Sequence, residues 1–463
     1  MTCAVKPSGG FRGERTKYPM ALRRGLGGGA PLLLCFFLSL PLCAQDGFGF
    51  GDSEETAAPP PALSVSGEAH AELIWYGDSF SSAEKAGNLT LGNIFSGKIG
   101  LKAAASNAEG VINLKLRPDF TNPASIVSLD EAYVRAFWGA FDLEAGLRKL
   151  TWGKADSFGP LDVINPADYT GLTDILDRKL PRPLLHGSYR LGSFSRVEAV
   201  FVPWFEADRY AEAGRWAPLE LTDLPAGIEG GIRSLFPILN SPQAEQMIRW
   251  PVFSTRDYTP DTSTLGYAQG GLRFTSTAGP VDFGIQYYSG CLTRPTVTVK
   301  GLDTFQARID ETMQAYMAWQ AAQTDEAKAA FEAARDRAAN SLTPDVAYNR
   351  YHQIGVDYAQ ALGGFNLRAE LAAILTEDLA GTDGAVKNPS LGWSAGFDRP
   401  LIFGISLNLQ GSGSIRLLHD QISGNRAADA EAGTSMTSSR MTGVLSKKLL
   451  RDELEIKTTV IWG

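Results

Sequence analysis

The sequence predicts an antiparallel transmembrane β-barrel of about 16 strands. Three observations carry that prediction. Apolar and charged side chains alternate every two residues through segment after segment. Tight turns and long loops follow one another in turn. The one long apolar run, Ala30 to Ala44, is too short to cross a bilayer as a helix. A strand with one apolar and one charged face needs oil on one side and water on the other. Only a closed barrel gives such strands a full set of backbone partners in lipid.

The N-terminal elements come first. The apolar run follows Arg23-Arg24 and ends Pro41-Leu42-Cys43-Ala44, which predicts a secretory signal over residues 1–44. The expected start is Met20 and the expected cleavage follows Ala44. A lipoprotein cysteine at Cys43 is the alternative, but Leu42 fits that pattern poorly. Residues 45–65 read as a disordered spacer of Gly, Pro and acids, including Ala57-Ala58-Pro59-Pro60-Pro61. Residues 66–463 are the predicted barrel.

Fifteen strands are predicted, near 66–77, 93–105, 110–117, 128–138, 140–150, 184–192, 195–204, 265–277, 280–290, 349–362, 364–376, 389–398, 403–416, 435–449 and 452–462. In the third, Ile112, Leu114 and Leu116 share one face, with Asn113, Lys115 and Arg117 on the other. Tight turns fall at Trp138-Gly139-Ala140, Gly192-Ser193-Phe194, Thr277-Ala278-Gly279-Pro280 and Leu362-Gly363-Gly364. Long loops cover 150–184, 204–264, 290–349, 376–389 and 416–435. Short periplasmic turns and long extracellular loops alternate in this way in outer-membrane barrels. Fifteen is an odd count, and single-chain bacterial barrels have an even one. Either a strand is miscounted or the chain stops one strand short at Trp462-Gly463. The lack of a terminal aromatic residue favours the second. Residues 303–340 read as a helical insertion, with Phe305, Ile309, Met313, Tyr316 and Met317 at spacings of three and four. It is expected to cap the barrel mouth, or else to serve as a plug or partner-binding helix.

Composition narrows the function. Of the 463 residues, 44% are hydrophobic and 49 are glycine, while mean hydropathy is only −0.10. That balance hides an apolar band in alternate residues. Removing residues 1–44 takes out six basic residues and one acidic, so 43 and 51 become 37 and 50, about −13. An acidic surface repels nucleic acid. Three of the four cysteines precede residue 45, leaving Cys291 with no intramolecular disulfide partner.

The sharpest motif is Leu150-Thr151-Trp152-Gly153-Lys154-Ala155-Asp156, followed by Leu161-Asp162-Val163-Ile164-Asn165-Pro166-Ala167-Asp168-Tyr169. It lies just past the outward end of a strand, where a loop can fold into the lumen. Candidate pore-constriction residues are Arg148, Lys154, Asp156, Asp162, Asp168, Arg178 and Arg182. The competing reading is a structural clamp, with Asp and Asn capping turns and Trp152 anchored at the membrane interface. Candidate lumen-facing charges are Lys115, Arg117, Asp142, Glu144, Arg196, Glu198, Arg368 and Glu370, joined by Glu455 and Lys457. With both signs interspersed they predict weak ion selectivity, on a solvated wall of cross-strand pairs. Trp75, Tyr76, Trp138, Phe141, Trp152, Trp204, Tyr287, Trp393 and Trp462 lie near strand ends and suit interfacial girdles, or else an ordinary β-core.

At these residues the chain resembles a family of outer-membrane porin-like barrels of unassigned function. Its members carry a strand ending Gly-Arg-x-x-x-x-Trp-Gly-Lys-Ala-Asp, then Asp-Val-x-Asn-Pro-x-Asp, then an Ile-Pro segment. The matching positions are Gly146, Trp152, Gly153, Lys154, Ala155, Asp156, Asp162, Val163, Asn165, Pro166 and Asp168, with Leu180-Pro181 in place of Ile-Pro. The close match covers residues 130–205. The resemblance implies a barrel of the cell outer membrane of a diderm bacterium, moving hydrophobic or lipid-like compounds, with no known cofactor.

Enzyme motifs are lacking. His70, His186, His352 and His419 are well separated, and His186 with Ser188 is the nearest approach to a nucleophile pair. No His-Glu-x-x-His, Cys-x-x-Cys or phosphate-binding glycine loop occurs. The expected role is a channel for passive passage of small or hydrophobic solutes, with no metal. Its expected partners are outer-membrane lipid, the barrel-assembly machinery and small solutes. The alternatives are a surface binding or adhesion barrel working through its long loops, and an outer-membrane hydrolase.

Overall fold

A computed structural model describes residues 35–39, 62–71, 95–116, 127–156, 159–170, 178–211, 218, 223–242, 258–449 and 454–462. Twenty strands run in chain order among the described residues. They are β1 (Cys35–Ser39), β2 (Ala62–Ala71), β3 (Phe95–Ala104), β4 (Ala108–Leu116), β5 (Val127–Trp138), β6 (Phe141–Arg148), β7 (Asp168–Tyr169), β8 (Arg182–Leu191), β9 (Ser195–Val202), β10 (Arg209–Tyr210), β11 (Gln269–Ala278), β12 (Val281–Cys291), β13 (Thr296–Lys300), β14 (Thr343–Ala347), β15 (Arg350–Leu362), β16 (Phe365–Thr376), β17 (Ser390–Pro400), β18 (Ile405–Arg416), β19 (Thr437–Leu449) and β20 (Leu454–Trp462). Among the described residues the α-helices are α1 (Leu224–Leu235), α2 (Leu302–Ala322) and α3 (Asp325–Ser341).

Sixteen of the strands make one antiparallel sheet in the order β1-β20-β19-β18-β17-β16-β15-β12-β11-β9-β8-β6-β5-β4-β3-β2. The two ends of that order, β1 and β2, approach one another. All fifteen predicted strands are present. The sixteenth place falls to β1, which pairs with β20 from Cys35↔Thr459 to Ser39↔Glu455. It lies within the run expected as the signal core. An apolar extended segment there supplies partners to backbone groups that β20 would otherwise leave open.

The predicted tight turns close the hairpins. Trp138 pairs with Phe141 across two residues, and Gly139 supplies φ +61° at the first of them. Positive φ at that position matches the turn to the right-handed twist of the strands.

The alternation sets the two faces. Val134, Leu185, Leu272, Ile285, Ile354, Val356 and Leu371 point outward and are exposed. On the opposite face of the same strands His186, Arg273, Gln286, Gln353, Asp357 and Glu370 are buried. This inverts the arrangement of a water-soluble protein, and is the one a lipid-facing barrel requires. Among the described residues no helix is long and apolar enough to cross a membrane. Trp138, Phe141, Trp204, Tyr287 and Trp462 are exposed near strand ends, and Trp393 is half-buried. Trp75 and Tyr76 lie outside the described residues.

The long loops hold more structure than periodicity predicted. The 204–264 loop contains α1, and the 290–349 loop opens and closes with the β13–β14 hairpin, Thr296↔Ala347 to Lys300↔Thr343. The predicted helical insertion is the α2–α3 pair. Phe305 and Ile309 are buried in a cluster with Ile228, Ile232, Leu239, Val299, Ala338 and Ala427, with Met313 and Tyr316 against it. Met317 departs from the expected stripe and is 56% exposed. Thr324 caps α3, accepting from the Ala327 N–H at 3.2 Å.

Candidate functional site

The loop that leaves β6 folds inward. Asn165 closes its base. Its side-chain oxygen accepts from the Leu150 N–H at 2.8 Å, and its amide donates to the carbonyls of Arg148 and Leu180, each at 2.9 Å. One asparagine thus ties three strands of chain where no ladder runs. Within the loop, Gly153 adopts φ +99°, a conformation that L side chains rarely adopt.

The tip is held by the opposite wall. Glu370 of β16 accepts from the backbone N–H groups of Lys154, Ala155 (2.6 Å) and Leu161 (3.4 Å). Gln286 of β12 donates to the Leu161 carbonyl at 2.9 Å, and Gln353 of β15 to the Pro160 carbonyl at 2.8 Å. Gln410 of β18 accepts from the Asp156 N–H at 3.0 Å. The Asp156 carboxylate accepts from Arg368 and from Asn408 (2.6 Å). Side chains from four separate strands meet one loop because the sheet curls around it.

Shape adds to polarity. A Cβ at Gly271 would sit 2.9 Å from the Trp152 ring, one at Gly355 2.1 Å from Leu161, and one at Gly392 2.7 Å from Pro160. Three wall glycines are therefore sockets for three loop side chains. Trp152 is 2% exposed and packs edge-on to Tyr288 at 6.3 Å. This corrects its expected place at the membrane interface: an aromatic near a strand end is also the bulk that docks a loop inside a barrel.

The outer part of the loop is clasped by its neighbours. Asp162 pairs with Lys179 at 2.7 Å. Burial lifts the Asp162 carboxyl above the ordinary aspartate range, although Lys179 pulls the other way. Asp208 accepts from the Ala167 N–H (2.8 Å) and from Thr293 (2.7 Å), joining three loops. Strands β7 and β10 pair in parallel, stacking Tyr169 on Tyr210 at 5.2 Å, with Arg178 and Arg294 over the two rings. A cavity of about 470 Å³ beside the loop is lined by Thr151, Asp162, Arg178, Lys179, Tyr351 and their neighbours.

Of the predicted constriction residues, Lys154 and Asp156 lie on the docked segment, Asp162 on its outward arm and Arg148 at its base. Asp168 and Arg178 belong to the outer clasp, where Asp168 accepts from both the Thr170 N–H and its hydroxyl. Arg182 is corrected. It is 1% exposed and donates to the carbonyls of Ile164 (2.8 Å) and Trp204 (2.7 Å), so it braces loops and does not face a solute.

Of the predicted lumen charges, Lys115, Asp142, Glu144, Arg196, Glu198, Arg368 and Glu370 stand on inward faces, while Arg117 and the Glu455 side chain lie outside the described residues. They form a paired wall. Arg135 meets Asp142 at 3.0 Å and Glu144 at 3.4 Å. Arg148 meets Glu144 at 2.7 Å and lies 4.1 Å over the Tyr133 ring. His186 stands between Glu144 (3.2 Å) and Glu198 (3.4 Å), and Arg273 pairs with Asp357 at 2.7 Å. The partners of the His186 ring are thus carboxylates and not Ser188. No group of three metal-ligating side chains occurs among the described residues.

Several working residues escaped sequence reasoning: Glu370 as an anchor, Gln286, Gln353 and Gln410 as struts, Asp208 as a clasp, and the wall glycines as sockets. Inward-facing glutamines on three strands are a legible hint, because a solvated wall has no need of them.

No family model and no curated protein matches the chain. Among solved structures it is similar to Salmonella typhi OmpF in complex with daunomycin, at 8% identity over 93% of this chain and 94% of that one, TM-score 0.37. It is similar to the outer-membrane channel DcaP of Acinetobacter baumannii at 8% identity over 89% and 99%, TM-score 0.40. It is similar to Pseudomonas putida OprB at 8% identity over 79% and 86%, TM-score 0.37. At that similarity the likeness adds nothing to what the strand order shows.

Proposed function

We propose that the chain is an outer-membrane channel for passive passage of small solutes, narrowed by the loop over residues 150–168. One observation carries the reading: the loop is pinned to the β11–β18 wall, so solutes pass between it and the charged wall of β3–β9. The inner faces there carry Lys115, Arg135, Glu144 and Arg148, which suits water-soluble cargo. The loop's own apolar side chains are taken up by the wall sockets, which disfavours the lipid-like cargo implied by the family resemblance. Insertion by the barrel-assembly machinery and an apolar belt in contact with outer-membrane lipid belong to the same reading.

Recording from detergent-refolded protein in a planar bilayer tests it. Heat-modifiable gel mobility first establishes a folded barrel. Discrete conductance steps are expected. A folded barrel that stays silent overturns the proposal.

A further inference from the structure

The inner wall carries a ribbon of charges that alternate in sign from strand to strand. Arg135 of β5 meets Glu144 of β6 at 3.4 Å, and Glu144 meets His186 of β8 at 3.2 Å. His186 meets Glu198 of β9 at 3.4 Å. Glu198 stands in register with Arg273 of β11, which holds Asp357 of β15 at 2.7 Å. The other charges on the adjoining inner faces are Asp142 and Arg148 of β6 and Arg196 of β9. Arg148 lies 2.7 Å from Glu144 and Arg196 3.9 Å from Glu198. Of these residue types only an imidazole ordinarily changes charge near neutral pH. The Nδ1 atom of His186 faces Glu144 and its Nε2 atom faces Glu198. A neutral imidazole has one N–H and one lone pair, so it aims a lone pair at one of the two carboxylates; only the imidazolium offers a proton to each.

We infer that His186 is a specificity-determining residue of the lumen that makes ion selectivity depend on pH: its imidazolium joins two carboxylates at acidic pH, and loss of one ring proton makes the wall one unit more negative and turns the channel towards cations. This rests on the channel reading above. The sign follows from the change in charge alone, whatever the selectivity at any one pH. The guanidinium groups of Arg135, Arg148, Arg196 and Arg273 stay charged throughout. The other histidines are placed differently. His352 faces outward, with its Nδ1 atom 2.8 Å from the Tyr287 hydroxyl, and His419 lies in the loop after β18 at the Thr434 carbonyl. The His70 side chain lies outside the described residues.

The test is the reversal potential of the refolded chain across a tenfold KCl gradient, read from about pH 5 to about pH 8. The potassium-to-chloride permeability ratio should rise about twofold over that range, the bias of one unit charge roughly 10 Å from an ion in water. His186→Gln should hold the ratio near the alkaline value and His186→Lys near the acidic one, each with little dependence on pH. His352→Gln should keep the full rise. A role in packing alone would not set the two His186 variants on opposite sides. Gel mobility before and after boiling checks that each variant folds. An unmodified protein that conducts with no rise overturns this inference even if neither variant folds. So does a His186→Gln variant that keeps half the rise or more, and both results leave the channel standing. A folded but silent barrel overturns both readings.

Discussion

The loop after β6 and the helical insertion between β13 and β14 are both long excursions from one sheet, and they are held by opposite means. The loop is fastened to the barrel wall by Glu370, Gln286, Gln353 and Gln410, with three side chains in glycine sockets. The α2–α3 pair instead buries Phe305 and Ile309 in a cluster shared with α1, β13 and Ala427. The loop's conformation is thus a property of the barrel. That of the helical insertion comes largely from its own apolar core, which a sheet can carry without being shaped by it.

Four experiments sharpen or break this contrast, in order of expected effect. Phe305→Ala empties a buried site in the helical insertion and should cost about 3–5 kcal/mol locally. Proteolysis should then cut α2 and α3 while the heat-modifiable band survives; loss of that band would mean the barrel depends on the helical insertion. Glu370→Ala leaves the N–H groups of Lys154, Ala155 and Leu161 without their acceptor, at about 1–3 kcal/mol each if they stay buried. The loop should become a protease target and the open channel noisy, with the helical insertion untouched. Gly355→Val drives a branched side chain into the Leu161 socket and should cost about 1–3 kcal/mol by overpacking. A wider, fluctuating conductance is expected, and unchanged conductance would remove the sockets from the account.

The smallest effect is pH-dependent. The Asp162 carboxyl is raised by burial, so its favourable contribution is present below the ordinary aspartate value and is lost as pH rises through the raised one. Falling pH therefore neutralises Asp162 above the ordinary aspartate value and strips Lys179 of its counter-charge. Conductance should change more between neutral and acidic pH in the wild type than in Asp162→Asn. Equal slopes in the two would break the assignment.

Legibility followed the same divide. All fifteen strands could be read, because a two-residue period is a local property and lipid enforces it at every position. The loop's inward path was also foreseeable from its place past β6. Its fastening was not: the Lys154–Glu370 contact spans 216 residues. Trp152 and Arg182 were misplaced for one reason. Residue type near a strand end suggests interface or pore, but the choice between wall, loop and lumen is made by partners far along the chain. Helix α1 and the β13–β14 hairpin hid in segments whose period is broken by glycine and proline. Strand β1 hid in a run whose composition reads as an export sequence.

The wall glycines have one more consequence. Gly355 and Leu161, Gly392 and Pro160, Gly271 and Trp152 behave as matched pairs in which bulk sits on the loop and space on the wall. Volume is the shared quantity, so it can be exchanged across the seam. A double change that shrinks Leu161 and enlarges residue 355 moves matter from the moving solute's side to the fixed side while the seam stays filled. Bore and stability thus become separate design variables, set by where a side chain is rooted and not by how much of it there is.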